Sequence, residues 1–537
     1  MKKISLYLFA VAALALTLTS CFKDDNNYNY SEINRLSAVE NLERSYSVFQ
    51  GEEVVIEPTV TFTVEGDHDI TYSWVEDLNE DEPYSTSKTS TKLVYEGSVI
   101  GQHTLTLLIT DNITGVTFVR NTTIDVKTVY KNGWLVLSDN GGRSVLSIVK
   151  MKSEKVDGTD VINYIGEEVD LIPDLGTGPI KLVEHWLSAD ADYNVMVGPI
   201  MVVQKDRTVE VNGESMLPEV YTDDEFEGVR PGGTWLTDAY LCLSSNYVLD
   251  SDGHLYSGLN ALPSVPYTSG YTSLPLHNGA RYSKIIPPAA LENSPIILAI
   301  DADLNEIIGI NVGGYASYDG TLNMTNAYDG KRVLLTGESE YDHTLFKDPG
   351  HKWERLYIAS YSDMDYYEAP IISVLKNNST GKYVMHKFLL DMTNYNREAT
   401  SILTIDWEEE PWELESSVFD EFVDLAVCYH RNYCAVASAN KLYMMDYYDA
   451  IPAKLAMTFD SPIKKIYAKD HDTYFSPSGP HIGVALANGD FVIVELNYDN
   501  PPASRELYRK GGFGDIVDVR FKWGSETASY YYQYIPF

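Results

Sequence analysis

The chain has 537 residues, of which 44% are hydrophobic and 22% charged, and its formal net charge at pH 7 is -38. A chain of this length exceeds a single hydrophobic core, which predicts two or more domains. So acidic a surface repels phosphate backbones, and no cluster of Lys and Arg offsets the repulsion. Nucleic acid is therefore excluded as an expected partner.

The N-terminus combines a short basic start, Lys2-Lys3, with an apolar run from Ile4 to Leu18. At roughly 15 residues the run is too short for a membrane-spanning helix, and it predicts a secretory signal peptide over residues 1–20. The following Leu-Thr-Ser-Cys at 18–21 resembles the lipobox of bacterial lipoproteins. That resemblance implies acylation of the Cys21 thiol, which becomes the mature N-terminus. The alternative is an ordinary signal peptide followed by a chance cysteine.

Lys23-Asp24-Asp25 follows Cys21 after one residue, Phe22, and resembles the export signal of Bacteroidetes surface lipoproteins. The resemblance implies a protein held on the extracellular face of the outer membrane by its lipid anchor. Residues 21–37 are polar and aperiodic, which predicts a lipid-anchored tether.

Residues 38–127 are predicted to form a β-sandwich. Alternating patterns run over 54–64, 70–75 and 103–111, and a fourth strand follows the turn at Asp111-Asn112. Strands this short, with Trp74 placed to fill the space between two sheets, are typical of a small sandwich. The segments Tyr72-Ser73-Trp74 and 101–111 resemble the PKD-like domains of bacterial surface proteins. Such domains mostly act as spacers.

Residues 128–537 show short strands and tight turns with hardly any helical period. Strong strand runs begin near seven positions, each opening a group of strands: Trp134, Val195, Tyr247, Ile296, Leu356, Leu425 and Ile482. This spacing predicts a β-propeller of about seven blades, so that the fold class is all-β throughout. A large two-sheet sandwich array is the alternative. We expect the C-terminal run 516–523 to close the ring by pairing with Trp134 to Leu137.

Beyond Cys21 the chain has three cysteines, and none of them forms a CxxC pair. Cys428 and Cys434 flank a hairpin tip and could face each other as a disulfide, which only geometry decides. Cys242 lies in an apolar run and is interpreted as a buried thiol.

No catalytic motif is present, and neither a cofactor nor a metal site is expected. The chain lacks a Gly-x-Ser-x-Gly elbow, a His-Glu-x-x-His helix and a phosphate-binding loop. Side chains with oxygen atoms of the kind that calcium prefers occur at alternate positions in residues 301–306 and 190–192. Both segments lack the glycine and distal glutamate of an EF-hand. They are interpreted as hairpin tips.

Aromatic residues in predicted loops are the better candidates for a binding surface. Rings beside carboxylates and amides can stack on sugars or hold peptide side chains. The candidates are Trp407 and Trp412; Tyr361, Tyr366 and Tyr367; and Tyr267 and Tyr271. Packing of these rings on neighbouring blades is the alternative.

The combined architecture resembles the PKD-like family lipoproteins of Bacteroidetes, which accompany starch-utilisation-type (SusC/SusD-like) outer-membrane importers. The resemblance implies a non-catalytic surface accessory that binds a glycan or peptide nutrient for the transporter. Two alternatives stay open: a surface hydrolase with a propeller active site, and a scaffolding subunit of the importer complex.

Overall fold

The computed structural model describes residues 34–64, 69–76, 83–130, 132–156, 159–184, 188–189, 195–196, 199–228, 232–241, 245–259, 270–286, 296–311, 331–361, 368–391, 403–428, 432–469 and 480–522. The chain divides into two compact units, Met1–Lys127 (unit 1) and Thr128–Phe537 (unit 2). The predicted signal peptide, Cys21, most of the predicted tether and Cys242 lie outside the described residues.

Strands dominate both units, and the all-β prediction is confirmed. Within the described ranges, helix is confined to one α-helical turn at Ser416–Phe419 and four short 3-10 segments: Thr222–Glu225, Leu276–Gly279, His343–Leu345 and Pro501–Ala503. None of the helices found in this part of the chain has the length and apolar character needed to span a bilayer.

Unit 1 contains nine strands. They are β1 Leu36–Glu40, β2 Ser45–Phe49, β3 Glu53–Ile56, β4 Thr59–Phe62, β5 Ile70–Glu76, β6 Ser85–Ser87, β7 Leu93–Glu96, β8 Gly101–Asp111 and β9 Val116–Lys127. Five of them form one sheet in the order β2-β9-β8-β5-β6, in which β2 and β9 run parallel. The remaining four form two antiparallel ladders, β1 with β4 and β3 with β7.

The core of unit 1 forms where the inward faces of these strands meet. Leu105, Leu107 and Ile109 share one face of β8 and are fully buried, as the period-two pattern predicts. Trp74 of β5 is 1% exposed and packs in this core. Its indole Nε1 donates a hydrogen bond to the carbonyl of Thr91 at 2.8 Å, so that its one polar atom is satisfied while the ring is buried.

We expect Trp74→Ala to destabilise unit 1 by about 3–5 kcal/mol, because it removes the largest side chain of this core and leaves a cavity. The measurement is the free energy of unfolding by chemical denaturation. Tyr84→Ala is the matched control, since Tyr84 is 42% exposed. Equal losses in the two variants would contradict a core role for Trp74.

Unit 2 contains the remaining strands. They are β10 Gly133–Asn140, β11 Arg143–Val156, β12 Thr159–Glu168, β13 Pro179–Glu184, β14 Ser188–Ala189, β15 Val195–Met196, β16 Ile200–Gln204, β17 Val209–Val211, β18 Pro218–Tyr221, β19 Phe226–Glu227, β20 Leu236–Leu241, β21 Ser245–Asp250, β22 Leu255–Leu259, β23 Gly270–Thr272, β24 Tyr282–Ile286, β25 Ile296–Asp301, β26 Glu306–Asn311, β27 Arg332–Thr336, β28 Trp353–Ser360, β29 Glu368–Asn377, β30 Tyr383–Asp391, β31 Leu403–Glu408, β32 Trp412–Leu414, β33 Phe422–Cys428, β34 Tyr433–Ser438, β35 Lys441–Asp446, β36 Ile451–Thr458, β37 Ile463–Lys469, β38 His481–Leu486, β39 Phe491–Glu495, β40 Arg505–Lys510 and β41 Asp515–Lys522.

These strands form small, mostly antiparallel sheets. Four have four strands each: β12-β11-β10-β41, β13-β16-β17-β18, β33-β34-β35-β36 and β37-β38-β39-β40. A fifth has the order β19-β23-β22-β21-β20. The groups β24–β27 and β28–β31 join into one larger sheet through a short parallel pairing of β27 with β31, and β32 adds to β30. β14 and β15 form a separate two-stranded ladder.

The C-terminal strand returns to the beginning of unit 2. β41 pairs antiparallel with β10, with Arg520 opposite Leu135 and Val519 opposite Val136. This confirms the predicted pairing of the C-terminal run with Trp134 to Leu137. Strands from the two ends of the unit therefore share one sheet, in which β10 lies between β11 and β41.

Trp134 of β10 fills the space between the first and the last sheets of unit 2. It is fully buried, and its ring meets Phe521 at 5.3 Å and Phe491 at 5.8 Å between ring centroids. Gly483 of β38 lies against the ring: a Cβ there would stand 2.7 Å from Trp134 Cε3. The close approach explains a glycine in the middle of this strand.

One strand from each group of unit 2 lines a common central cavity. These strands are β13, β20, β24, β28, β33, β37 and β41. Small antiparallel sheets arranged around a central cavity make unit 2 propeller-like.

Candidate functional site

The central cavity of unit 2 has a volume of about 570 Å³. That is within the range of roughly 300–1,000 Å³ typical of small-molecule sites. It is lined by charged side chains as well as apolar ones, although propeller-like sheets pack mainly through hydrophobic faces. The charged residues of this cavity are therefore the candidate functional site.

Charges of opposite sign alternate around the cavity. We define the charge ring as one residue from each lining strand, taken in chain order from β13: Lys181, Asp238, Lys284, Tyr357, Asp424, Lys465 and Asp518. With seven positions, positive and negative charges cannot alternate all the way around the cavity. The neutral Tyr357 occupies the position at which the alternation is interrupted.

Each aspartate of the charge ring accepts a backbone hydrogen bond from the next strand along the ring. Asp518 Oδ2 accepts from the N–H of Leu182 at 2.8 Å, and Asp238 Oδ2 accepts from the N–H of Ile285 at 3.2 Å. Asp424 Oδ2 accepts from the N–H of Ile466 at 3.2 Å. These bonds tie β41 to β13, β20 to β24 and β33 to β37, and they place a lysine next to each aspartate.

One ion pair adds a connection between β13 and β20, and a second reinforces the connection between β33 and β37. Lys181 pairs with Asp238, and Lys465 Nζ lies 2.9 Å from Asp424 Oδ2. Arg520 also lines the cavity but is not part of the charge ring; its Nε lies 3.5 Å from Asp518 Oδ2. Its guanidinium group lies over the aromatic ring of Tyr467, 4.9 Å from the ring centroid. Glu184 also lines the cavity, about 10 Å along β13 from Lys181 at the usual rise per residue.

Two lysines of the ring differ in their electrostatic surroundings. Burial works to lower the pKa of Lys465, but Asp424 and Asp518 keep that pKa above its ordinary value. Burial and the neighbouring Lys181 lower the pKa of Lys284 to about 8, and Asp238 offsets only part of this. The difference arises because Lys465 has a carboxylate in contact, whereas Lys284 faces the ring of Tyr357 at 5.9 Å from its centroid.

The aspartates of the charge ring are held as hydrogen-bond acceptors within the protein. They are engaged by N–H groups and cations, so none stands ready as a general acid or base. Among the described residues, no group of three or more His, Cys, Asp and Glu side chains could hold a metal ion. What the arrangement offers is hydrogen-bond donors and, at Lys284, one positive charge inside the cavity with no ion-pair partner among the described residues.

Sequence reasoning missed the charge ring, although a short signal was present. Lys followed by Leu or Ile occurs in the cavity-lining segments of β13, β24 and β37, while Asp followed by an apolar residue recurs in β20, β33 and β41. The repeat alternates between two strand types, so a search for one motif shared by every group does not detect it.

The two predicted tryptophans lie on strands, not in the loop between them. Trp407 in β31 and Trp412 in β32 are both half-buried and pair with Leu389 and Met385 of β30. The four-residue offset on β30 separates them by about 13 Å. Trp412 packs against the core that contains Phe419. The structure does not bring the two rings together as a clamp.

The predicted tyrosines divide into buried and undescribed positions. Tyr271 is fully buried in β23 and stacks on Phe226 at 5.2 Å, so its ring is not exposed to a ligand, contrary to the prediction. Tyr361 is half-buried and meets Tyr447 edge-on at 5.4 Å, which is packing on a neighbouring sheet. Tyr267, Tyr366 and Tyr367 lie outside the described residues.

The disulfide between Cys428 and Cys434 is not formed. Cys428 pairs with Tyr433, and Cys434 pairs with Val427, so the two cysteines are one register position apart. Adjacent positions point to opposite faces of a sheet, and the two thiols pack in different cores. Both are buried.

The segment 301–306 forms the tight turn of a hairpin between β25 and β26, as interpreted from the sequence. The carboxylate of Asp301 accepts the N–H groups of Asp303 and Leu304 at 2.9 and 2.8 Å, and it pairs with Arg332 at 2.6 Å. Its oxygens are thus used within the protein. The companion segment 190–192 lies outside the described residues.

A separate pair of carboxyl groups is buried between β17 and the turn that follows β18. Glu210 is fully buried next to Glu225. Burial raises the pKa of both, and the charge of Glu210 raises that of Glu225 further. The folded protein therefore holds a proton here that the unfolded chain, with ordinary glutamate pKa values, releases above about pH 4.5.

Because both pKa values are raised in the folded state, this pair makes stability fall as pH rises above about 4.5. We expect Glu225→Gln to raise the free energy of unfolding at pH 8 by about 1–3 kcal/mol and to change it little at pH 4.5. Denaturation at both pH values measures this, with the exposed neighbour Asp224→Asn as control. An equal effect at both pH values would contradict proton sharing.

Comparison with known proteins gives one family match. The model of the PKD-like family matches residues 21–171, which runs past unit 1 into β10–β12. No curated protein matches the chain.

Similar solved structures include a quinonprotein alcohol dehydrogenase-like protein from Bacteroides thetaiotaomicron, with 10% identity, 92% of this chain and 100% of that one covered, and a TM-score of 0.34. Prp20p from Saccharomyces cerevisiae has 10% identity, with 76% of this chain and 95% of that one covered, and a TM-score of 0.35. Human WBSCR16 has 9% identity, with 68% and 89% covered, and a TM-score of 0.31. The family match covers a smaller part of the chain but is specific: residues 21–171 carry a PKD-like family domain.

Proposed function

We propose that this protein is a surface-exposed lipoprotein that binds a glycan or peptide nutrient, without catalysis, for a SusC/SusD-like outer-membrane importer. The observation that carries the binding function is the central cavity of unit 2, large enough for a short oligomer and lined by the charge ring. Attachment to the outer membrane would come from acyl chains on Cys21, each buried methylene adding about 0.8 kcal/mol.

Binding is favoured over hydrolysis by the way the aspartates of the charge ring are held. A hydrolase needs a carboxyl group placed to give or take a proton, with a pKa matched to that task. Asp238 and Asp424 each contact both a lysine and a backbone N–H, which keeps them as fixed acceptors. Such preorganised polar groups orient a ligand and supply no proton transfer.

We also propose that unit 2 is a seven-bladed β-propeller closed by β41. Support comes from the lining of the cavity, to which one strand of each group contributes, and from the pairing of β41 with β10. A propeller presents its central cavity at one face, where a ligand delivered from outside the cell can enter.

The binding function is tested by incubating the purified protein with panels of polysaccharides, oligosaccharides and short peptides. We expect retardation or heat of binding for at least one ligand and no release of products. Products in the absence of other enzymes would support the alternative of a surface hydrolase. Co-purification of a transporter from membranes in mild detergent, with no soluble ligand bound by either protein, would support a scaffolding subunit instead.

The cellular placement is tested separately on whole cells. We expect externally added protease to degrade the protein, and we expect Cys21→Ala to abolish its acylation and its surface display. A Ser20→Ala variant is the matched control, since it changes the neighbouring residue and leaves the thiol. Continued acylation and display of the Cys21→Ala protein would contradict the lipoprotein assignment.

A further inference from the structure

Lys284 is the uncompensated cation of the charge ring. It lies on β24, lines the central cavity and forms no ion pair with any described residue, in contrast to Lys181 and Lys465. Its ammonium group instead lies 5.9 Å from the centroid of the Tyr357 ring, at the outer limit of a cation–π contact.

The hydrogen bonds around Lys284 explain why no carboxylate compensates it. The nearest aspartate, Asp238, already pairs with Lys181 through Oδ1 and accepts the N–H of Ile285 through Oδ2. On the other side the ring position is the neutral Tyr357, and the next aspartate, Asp424, pairs with Lys465. An ammonium group held in a cavity without a counter-charge favours an anionic partner, because charge-assisted hydrogen bonds are strong where water is scarce.

We propose that Lys284 binds a carboxylate group of the ligand in the central cavity. This inference rests on the proposed binding function and specifies its ligand class: a small molecule of a few sugar or amino-acid units that carries a carboxylate. Two sources share this chemistry, a uronic acid in an oligosaccharide and the free C-terminus of a short peptide. The carboxylate would lie between Lys284 and Tyr357, the part of the charge ring in which the lysine has no paired carboxylate.

The pH dependence of binding follows from the groups that face Lys284. Lys181 and Lys465 disfavour the protonated form of Lys284, whereas Asp238 and Asp424 favour it. The remaining group that faces Lys284 is the neutral Tyr357. Together with burial they place the pKa of Lys284 near 8. The protonated fraction of Lys284 falls from most of the molecules at pH 7 to about one tenth at pH 9. The affinity for a carboxylate should therefore fall about tenfold over that interval.

The test compares each acid with its neutral derivative by calorimetry on the purified protein. One pair is trigalacturonic acid and its methyl ester, and the other is N-acetyl-trialanine and its C-terminal amide. We expect at least one acid to bind tenfold or more tightly than its neutral partner at pH 7. Whichever acid binds identifies the source of the carboxylate.

Variants connect this preference to Lys284. Lys284→Met should abolish the preference for the acid and its pH dependence, while Lys284→Arg should keep the preference and remove the loss at pH 9. Lys454→Met, at an exposed lysine of β36 that does not line the cavity, should behave as the wild type. Unfolding curves of each variant confirm that it is folded.

Two results would overturn the inference and separate it from the proposed function. Equal binding of acid and neutral forms, or an acid preference that survives in Lys284→Met, would refute the role of Lys284 while leaving a binding protein. Failure of every acid and neutral compound in the wider panel to bind would refute both the inference and the binding function.

Discussion

Deletion of residues 515–537 is expected to abolish the cooperative unfolding transition of unit 2. The deletion removes β41, whose Ile516, Val519 and Phe521 are buried to within 1% and whose backbone pairs with β10. Burial of each such side chain stabilises by about 1.5–3 kcal/mol, so their combined loss approaches the whole stability of a typical domain. β10 would also lose its antiparallel partner, and β13 would lose the strand whose Asp518 accepts its backbone hydrogen bond.

Deletion of residues 523–537 is the matched control, because it shortens the chain from the same end and leaves β41 in place. The thermal unfolding transitions of both truncated proteins are measured by near-ultraviolet circular dichroism. We expect the control to keep the transition of unit 2 and the longer deletion to lose it, while the transition of unit 1 persists in both. A folded unit 2 without β41 would refute the closure by this strand.

Asp238→Ala is expected to lower the free energy of unfolding by about 3 kcal/mol. The substitution leaves the ammonium of Lys181 and the N–H of Ile285 without their shared acceptor, inside a cavity where water is limited. Removing one partner of a buried ion pair leaves an uncompensated charge, and an unsatisfied buried N–H adds its own cost. Chemical denaturation of the two proteins measures the difference.

Asp303→Ala is the matched control, because its partner Arg281 is likewise a cation but both side chains are more than half exposed. Exposed pairs contribute about 0–1 kcal/mol, so we expect little change there. The double variant Lys181→Met with Asp238→Ala should recover part of the loss by removing the stranded charge. A loss at Asp238 no greater than at Asp303 would show that the charge ring does not connect the sheets.

The sequence predicted the parts of the fold that depend on local pattern. Alternation along β8 and the position of Trp74 anticipated a sandwich core, because a half-buried strand shows its two faces in the sequence. The run that became β41 was predicted to pair with β10 for the same reason: a regular strand at the end of a chain needs a partner.

The candidate site was not predicted, because its residues come from strands far apart in the chain. Lys181 and Asp518 are neighbours only after the ring has closed, and the bond between Asp518 and the N–H of Leu182 spans almost the whole of unit 2. Conversely, the aromatic candidates were chosen for residue type in presumed loops. Tyr271 shows the limit of that reasoning, since its ring packs on Phe226 in the core.

The sequence by itself determined that the chain is all-β, that residues 18–21 resemble a lipobox, and that many of its strands alternate apolar and polar residues. Those properties depend on residues that are close together in the sequence. Only the tertiary structure decided which charges meet, which thiols and tyrosines are buried, and which lysine of the charge ring has no carboxylate beside it. The reason is that strand periodicity is set by the local geometry of the backbone, whereas charge compensation depends on distances between strands that the sequence does not encode locally.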